Sequence, residues 1–115
     1  MYNGRPASSV KMNGGATEGD ISVTHKGIIT RGVLVDAARM RGVEFIERGD
    51  GVGLADIAKA EKECGFRIGK GDVLLMRTGQ LSERQRSGPV DVLESGSSGP
   101  LPELLPFFKD RDIAV

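Results

Sequence analysis

Residues His25–Gly79 read HKGIITRGVLVDAARMRGVEFIERGDGVGLADIAKAEKECGFRIGKGDVLLMRTG, and this stretch decides the fold. Gly32-Val33-Leu34-Val35-Asp36 is a compact apolar run opened by glycine, which suits a strand buried on both faces. Ala37–Arg41 continues in helix formers as a short turn, Val43–Ile46 is a weaker apolar segment, and Gly49–Gly53 reads as a flexible loop. Leu54–Cys64 carries the strongest helix pattern. Leu54, Ile57, Ala58 and the edge at Glu61 and Cys64 recur at helical spacing, Asp56 stands in the first turn and Lys62 in the last, and Gly65 is a natural stop. Gly69–Asp72 is a turn, and Val73–Met76 is a second buried strand ending at Arg77-Thr78-Gly79. Strand, helix, strand over residues 21–79 predicts an α/β core.

Working outward, residues 1–20 are small and polar and read as a loop or extended arm. Ile21–Thr24 alternates apolar and polar residues, as a short strand does. Residues 80–100, with E-R-Q-R, S-G-P and E-S-G-S-S-G-P, read as a long loop, the charges of E-R-Q-R and of Glu61 and Glu63 lying on solvated faces. Residues 101–115 predict a helix over Pro102–Lys109, kept short or kinked by Pro106. Asp112–Val115 then begins a strand that stops in mid-pattern, as at a cut end.

The 115 residues suffice for one small domain. Sixteen basic residues balance sixteen acidic ones, which argues against a nucleic-acid partner bound by phosphate neutralisation. No apolar run nears the ~20 residues of a membrane span, and the first residues lack the apolar centre of a signal peptide. A lone cysteine, Cys64, cannot form an internal disulfide, so a cytoplasmic location is expected. Seventeen glycines, no Trp and one Tyr leave many turns and few large groups to fill a core, so the chain should be marginal alone or lean on a partner surface.

The single histidine, His25, lacks companions at metal-ligand spacing, and reads as a turn residue whose ring bonds the backbone. Ser9 or Ser22 could formally pair with it, but no G-x-S-x-G elbow is present. Gly49-x-Gly51-x-Gly53 lacks the third glycine of a dinucleotide fingerprint, since Leu54 and Asp56 occupy the two candidate positions, and Asp50 would repel a pyrophosphate. Arg31 and Arg77 abut the apolar strands. Each could hold a carboxylate bidentately or brace the fold through an ion pair. Asp36 reads as structural, bonded to backbone amides or paired with an arginine. Cys64, at the end of its helix, reads as a small core filler.

Taken together, HKGIITRGVLVDAARMRG, LADIAKAEKECGFRIGKGDVLLMRTG and LPELLPFFKDRDIAV resemble the middle of the cyclase family, metal-dependent hydrolases related to bacterial arylformamidase (kynurenine formamidase). The set G-V-L-V-D-x-A-R, G-x-G-D-V-L-L-x-R-T-G and D-I-A-V carries the likeness, which runs over nearly the whole chain and is poorest over Arg84–Pro100. Met1-Tyr2-Asn3-Gly4 is similar to the segment that follows the family's metal motif.

The resemblance implies an α/β fold: a fragment of a β-barrel-like, swivelling β/β/α core with flanking helices, in a protein that forms homo-oligomers. It implies zinc or manganese bound by H-x-G-T-H-x-D-x-x-x-H with a further His and Glu, and metal-activated water attacking an amide or lactone carbonyl. That motif would fall before Met1 and the later ligands after Val115. No catalytic residue and no metal ligand therefore transfers to this sequence, and no bound cofactor is expected of the chain itself. Arg77 and Thr78, at a strand end, are the residues expected near a substrate pocket. The alternatives are a non-catalytic interaction or structural module, and an enzyme with a carboxylate-only metal site.

Overall fold

The two apolar runs of the central stretch pair with each other in parallel. In the computed structural model, which describes residues 7–11, 15–16 and 20–114, the elements are β1 (Val10–Lys11), β2 (Gly15–Ala16), β3 (Gly32–Asp36), α1 (Ala37–Met40), β4 (Gly51–Val52), α2 (Leu54–Cys64), β5 (Val73–Arg77), α3 (Gln80–Ser87), α4 (Val92–Ser95), β6 (Gly99–Pro100) and α5 (Leu104–Asp110). The architecture is mixed α/β, as expected. Among the described residues the strands form three two-stranded sheets, β1–β2 antiparallel and β3–β5 and β4–β6 parallel, and do not close a barrel. A parallel pair needs a long crossover, and α1, β4 and α2 supply it between β3 and β5.

The core gathers on one face of β3–β5. Val33, Val35, Ile57, Ala60, Ile68 and Leu104 are buried there, with Leu74, Met76, Phe107 and Phe108 partly buried against them. Burial along β3 alternates rather than running continuously: Val33 is 7% exposed and Val35 fully buried, whereas Leu34 is 56% exposed. Its register partner Leu75 is 53% exposed. Strict alternation marks a sheet covered on one side, which corrects the expectation of burial on both faces. No described helix is long and apolar enough to cross a membrane.

The Leu54–Cys64 helix is present at the expected bounds but rotated. Its buried residues are Asp56, Ile57 and Ala60, Leu54 is 42% exposed, and Cys64 is exposed rather than filling the core. The cause is Arg41, just after α1. Its Nε and Nη2 donate to Asp56 Oδ1 and Oδ2 at 2.8 and 2.6 Å, its Nη1 to Asp50 Oδ2 at 2.6 Å, and its Nη2 also to the Gly51 carbonyl. Asp56 in turn accepts from Gly53 N, and Glu103 accepts from Leu54 N, so the first turn of α2 is capped by carboxylates. Glu61, expected on a solvated face, accepts from Ile68 N and Arg111.

Gly49–Gly53 holds a buried strand rather than only a flexible loop, because Gly51 and Val52 pair with Gly99 and Pro100. The polar stretch 80–100 is not one long loop. Gln80–Ser87 is a helix without a buried residue, fastened by Arg48 to Glu83 and by Arg86 to Glu44. Gly79 opens it at φ +80°, and a Cβ there would collide with the Glu44 carbonyl and the Phe45 backbone. Ile21–Thr24 is a 3-10 turn instead of a strand: Asp20 caps Ser22 N, and the Thr24 hydroxyl donates to Ile21 O, so local side-chain bonds outcompete strand pairing. Val43–Phe45 forms a bend and Ile46 after it is buried in the core. Pro106 sits in the first turn of α5, where its missing N–H leaves no bond unmade. Beyond α5, Ile113 and Ala114 form no strand, though Ala114 N donates to Asp72 O. Residues 1–6, 12–14, 17–19 and 115, part of the expected arm and final strand, lie outside the described residues.

Two predictions follow from this packing. The Arg41 hydrogen bonds hold the Asp56 carboxyl below its usual range against the opposing effect of burial. Unfolded Asp protonates near pH ~3.9 and the folded one only at lower pH, so the stabilisation is present above that value and is lost as pH falls through the folded value. Asp56→Asn should therefore lower stability at neutral pH by roughly 1–3 kcal/mol, with the deficit shrinking in acid. Urea unfolding at pH 7 and pH ~3 measures both, and an undiminished deficit in acid refutes the assignment. Gly79→Ala should cost at least about 2 kcal/mol, from the positive φ and the collision together, read as a lower urea midpoint at unchanged slope.

Candidate functional site

Parallel strands end at the same side of their sheet, and that side is where α/β proteins build sites. Here β3 ends in Asp36 and β5 in Arg77, and the two are register partners. Arg77 Nη1 donates to both carboxylate oxygens of Asp36 at 2.8 and 3.0 Å, and Asp36 Oδ1 also accepts from Arg39 N, capping α1. Both structural roles expected of Asp36 are therefore filled. Burial raises the Asp36 carboxyl, but the Arg39 amide, the Arg77 guanidinium and the Arg39 charge outweigh it, so it sits below its usual range. The Arg77 side chain remains 45% exposed.

Thr78 follows, half-buried, with its carbonyl accepting from Ile46 N at 2.8 Å. Gly79 then turns the chain into α3. A crevice of about 420 Å³ runs along Met76–Ser82 at this strand end. The structure thus brings Arg77 and Thr78 together at one opening, as adjacency requires, and adds Asp36 as the group that fixes the arginine. Arg77 spends only Nη1 on Asp36, which leaves Nε and Nη2 as donors. Arg31 braces the opposite end of the sheet through a bidentate pair with Asp72, whose carboxylate also accepts from Gly69 N. The Arg31 guanidinium and the Gly69 amide hold the Asp72 carboxyl below its usual range.

His25 lies apart from this end. Its Nδ1 donates to the Ser22 carbonyl at 2.7 Å, closing the turn after the Ile21–Thr24 segment. Among the described residues no group of three His, Cys, Asp or Glu could hold a metal ion. The described residues therefore do not themselves form the zinc or manganese site that the family resemblance implies.

A second groove went unread in the sequence. It lies along α3 and is lined by Arg48, Gln80, Leu81, Arg84, Val90 and Val92. Its only sequence signal is the run of helix formers Gln80–Ser87 bounded by Gly79 and Gly88, which marks a helix but not what the helix borders.

Residues 8–115 match the model of the Cyclase family, described as "Putative cyclase". A crystal structure described as that of a novel cyclase is similar with a TM-score of 0.77, at 28% identity over 98% of this chain and 39% of its own. The chain therefore spans 39% of the length of that relative. No match is found among curated proteins. With a family match over nearly its entire length, the chain belongs to the cyclase family.

Proposed function

We propose that this chain forms a wall of the substrate pocket in an arylformamidase-like hydrolase that opens an amide or lactone. The observation that carries this reading is the crevice at the carboxyl end of β5, where Arg77 and Thr78 stand in a chain of the cyclase family. Asp36 fixes the guanidinium, so the remaining donors of Arg77 present a constant geometry to a carbonyl oxygen. The Thr78 hydroxyl, able to donate and accept, is the second polar group at that edge. On this reading, water activation belongs to residues outside this stretch, which hold the zinc or manganese. The chain alone is inactive, and the whole enzyme is a cytoplasmic homo-oligomer.

A second reading, a non-catalytic interaction or structural module, is favoured by the outer face of β3–β5, where Leu34 and Leu75 lie side by side in solvent. The readings separate in a protein that carries this chain together with the family's histidine motif. Arg77→Ala should raise KM for a formylated aryl amide about tenfold, while Asp36→Ala, which removes the brace and the α1 cap but no donor to the substrate, has a smaller effect on KM. Unchanged KM and kcat for Arg77→Ala would remove Arg77 from the substrate site, and equal effects of both variants would reduce it to a brace. The 115-residue chain by itself should give no hydrolysis above buffer with added zinc or manganese. Turnover there would overturn the assignment of water activation to residues outside it.

A further inference from the structure

We infer that the groove along α3 is a binding site for a small carboxylate with an apolar or aromatic body, held by Arg84. This stands on its own observations and does not require the hydrolase reading. The groove encloses about 500 Å³, room for a ligand of one ring with substituents. Leu81, Val90 and Val92 line it and are 70%, 39% and 55% exposed. Three exposed apolar side chains surround one concavity, Leu81 on α3, Val90 on the loop after it and Val92 at the start of α4, and they form a surface suited to an apolar body.

The charge comes from two arginines in different states. Arg48 is committed: its Nε and Nη2 donate to Glu83, and its Nη1 to the Gly96 carbonyl. Arg84 has no hydrogen-bond or ion-pair partner for its guanidinium among the described residues, so all its donors are available. A free planar guanidinium beside apolar walls matches a carboxylate on an aryl or alkyl body through two parallel hydrogen bonds.

Gln80 adds an independent observation. Its Oε1 accepts from the Ser97 hydroxyl at 3.0 Å, while its Nε2 is buried without a hydrogen-bond partner. An orphaned amide donor is unusual enough to call for a partner, and this residue lines the groove. A small rotation of the Gln80 side chain would offer Nε2 to a ligand oxygen. A buried amide donor, apolar side chains and an exposed, unpaired guanidinium along one groove select an anion with a hydrophobic part over a bare ion such as sulfate.

Backbone amide spectra of the full chain, titrated with benzoate and with the neutral isostere benzamide, test this. Benzoate should give saturable shifts confined to α3 and to residues 90–92, with benzamide about tenfold weaker. Arg84→Gln should bring benzoate down to the level of benzamide, whereas Arg67→Gln, which replaces an exposed arginine on the loop after α2, should leave it unchanged. Because the Arg84 guanidinium has no hydrogen-bond or ion-pair partner among the described residues, its replacement should leave the spectrum away from the groove intact. Equal affinity for the two probes, benzoate binding that survives Arg84→Gln, equal loss in Arg67→Gln, or no saturable shift with either probe would each overturn the proposal.

Discussion

A single guanidinium holds the crossover of this fold together. Arg41 donates to Asp56, Asp50 and the Gly51 carbonyl at once, so the end of α1, the start of β4 and the first turn of α2 meet at one side chain. The rigid fork of arginine suits that task, because several donors are fixed in one plane. Its effect on α2 is rotational. With Asp56 turned inward to meet Arg41, Ile57 and Ala60 face Val33 and Val35, and Leu54 is left outside. A partly buried ion pair of this kind contributes less to net stability than to selecting one arrangement over others, and here the arrangement selected is the helix face that covers the sheet.

The sheet itself is clasped at both ends by the same chemistry with the partners exchanged. Arg31, just before β3, meets Asp72, just before β5, and Asp36 at the end of β3 meets Arg77 at the end of β5. Two strands alone make a weak sheet, and opposite charges set directly across a register pair strengthen and align it. The clasps leave the outer face to Leu34 and Leu75. A parallel sheet with one bare apolar face is an unusual final state for a soluble monomer. This is the physical content of the interaction-module reading, and it equally suits a sheet that further strands or helices of a cyclase would cover.

How much of this was legible follows from where each signal resides. β3, α2 and β5 were readable because their apolar runs and glycine stops are local. The rotation of α2 was not, since Asp56 counts as a surface residue until Arg41, fifteen positions away, is placed beside it. α3 was missed because it has no apolar stripe to detect. It is held by ion pairs to Arg48 and Glu44, 35 and 42 residues distant in sequence. β4 and β6 are two residues each, too short for periodicity, and exist only through each other. Arg77 and Thr78 could be named from their place at a strand end, and the arginine pairing of Asp36 was among its anticipated roles. The α3 groove could not be read, because helix formers between two glycines mark a helix but not the loop and α4 residues that it borders.

The two openings share Gln80 and Leu81 but differ in what their arginines can accept. Arg77 is already neutralised by Asp36, so an incoming carboxylate would have to compete with a bonded one and sit near its charge. A neutral carbonyl needs only a hydrogen bond from Nη2 and leaves the Asp36 pair intact, which is the demand an amide or lactone makes. Arg84 is uncompensated and favours a full negative charge. Gln80 lines both openings, so its replacement should alter the shape of both, whereas loss of Arg84 should alter only the α3 groove.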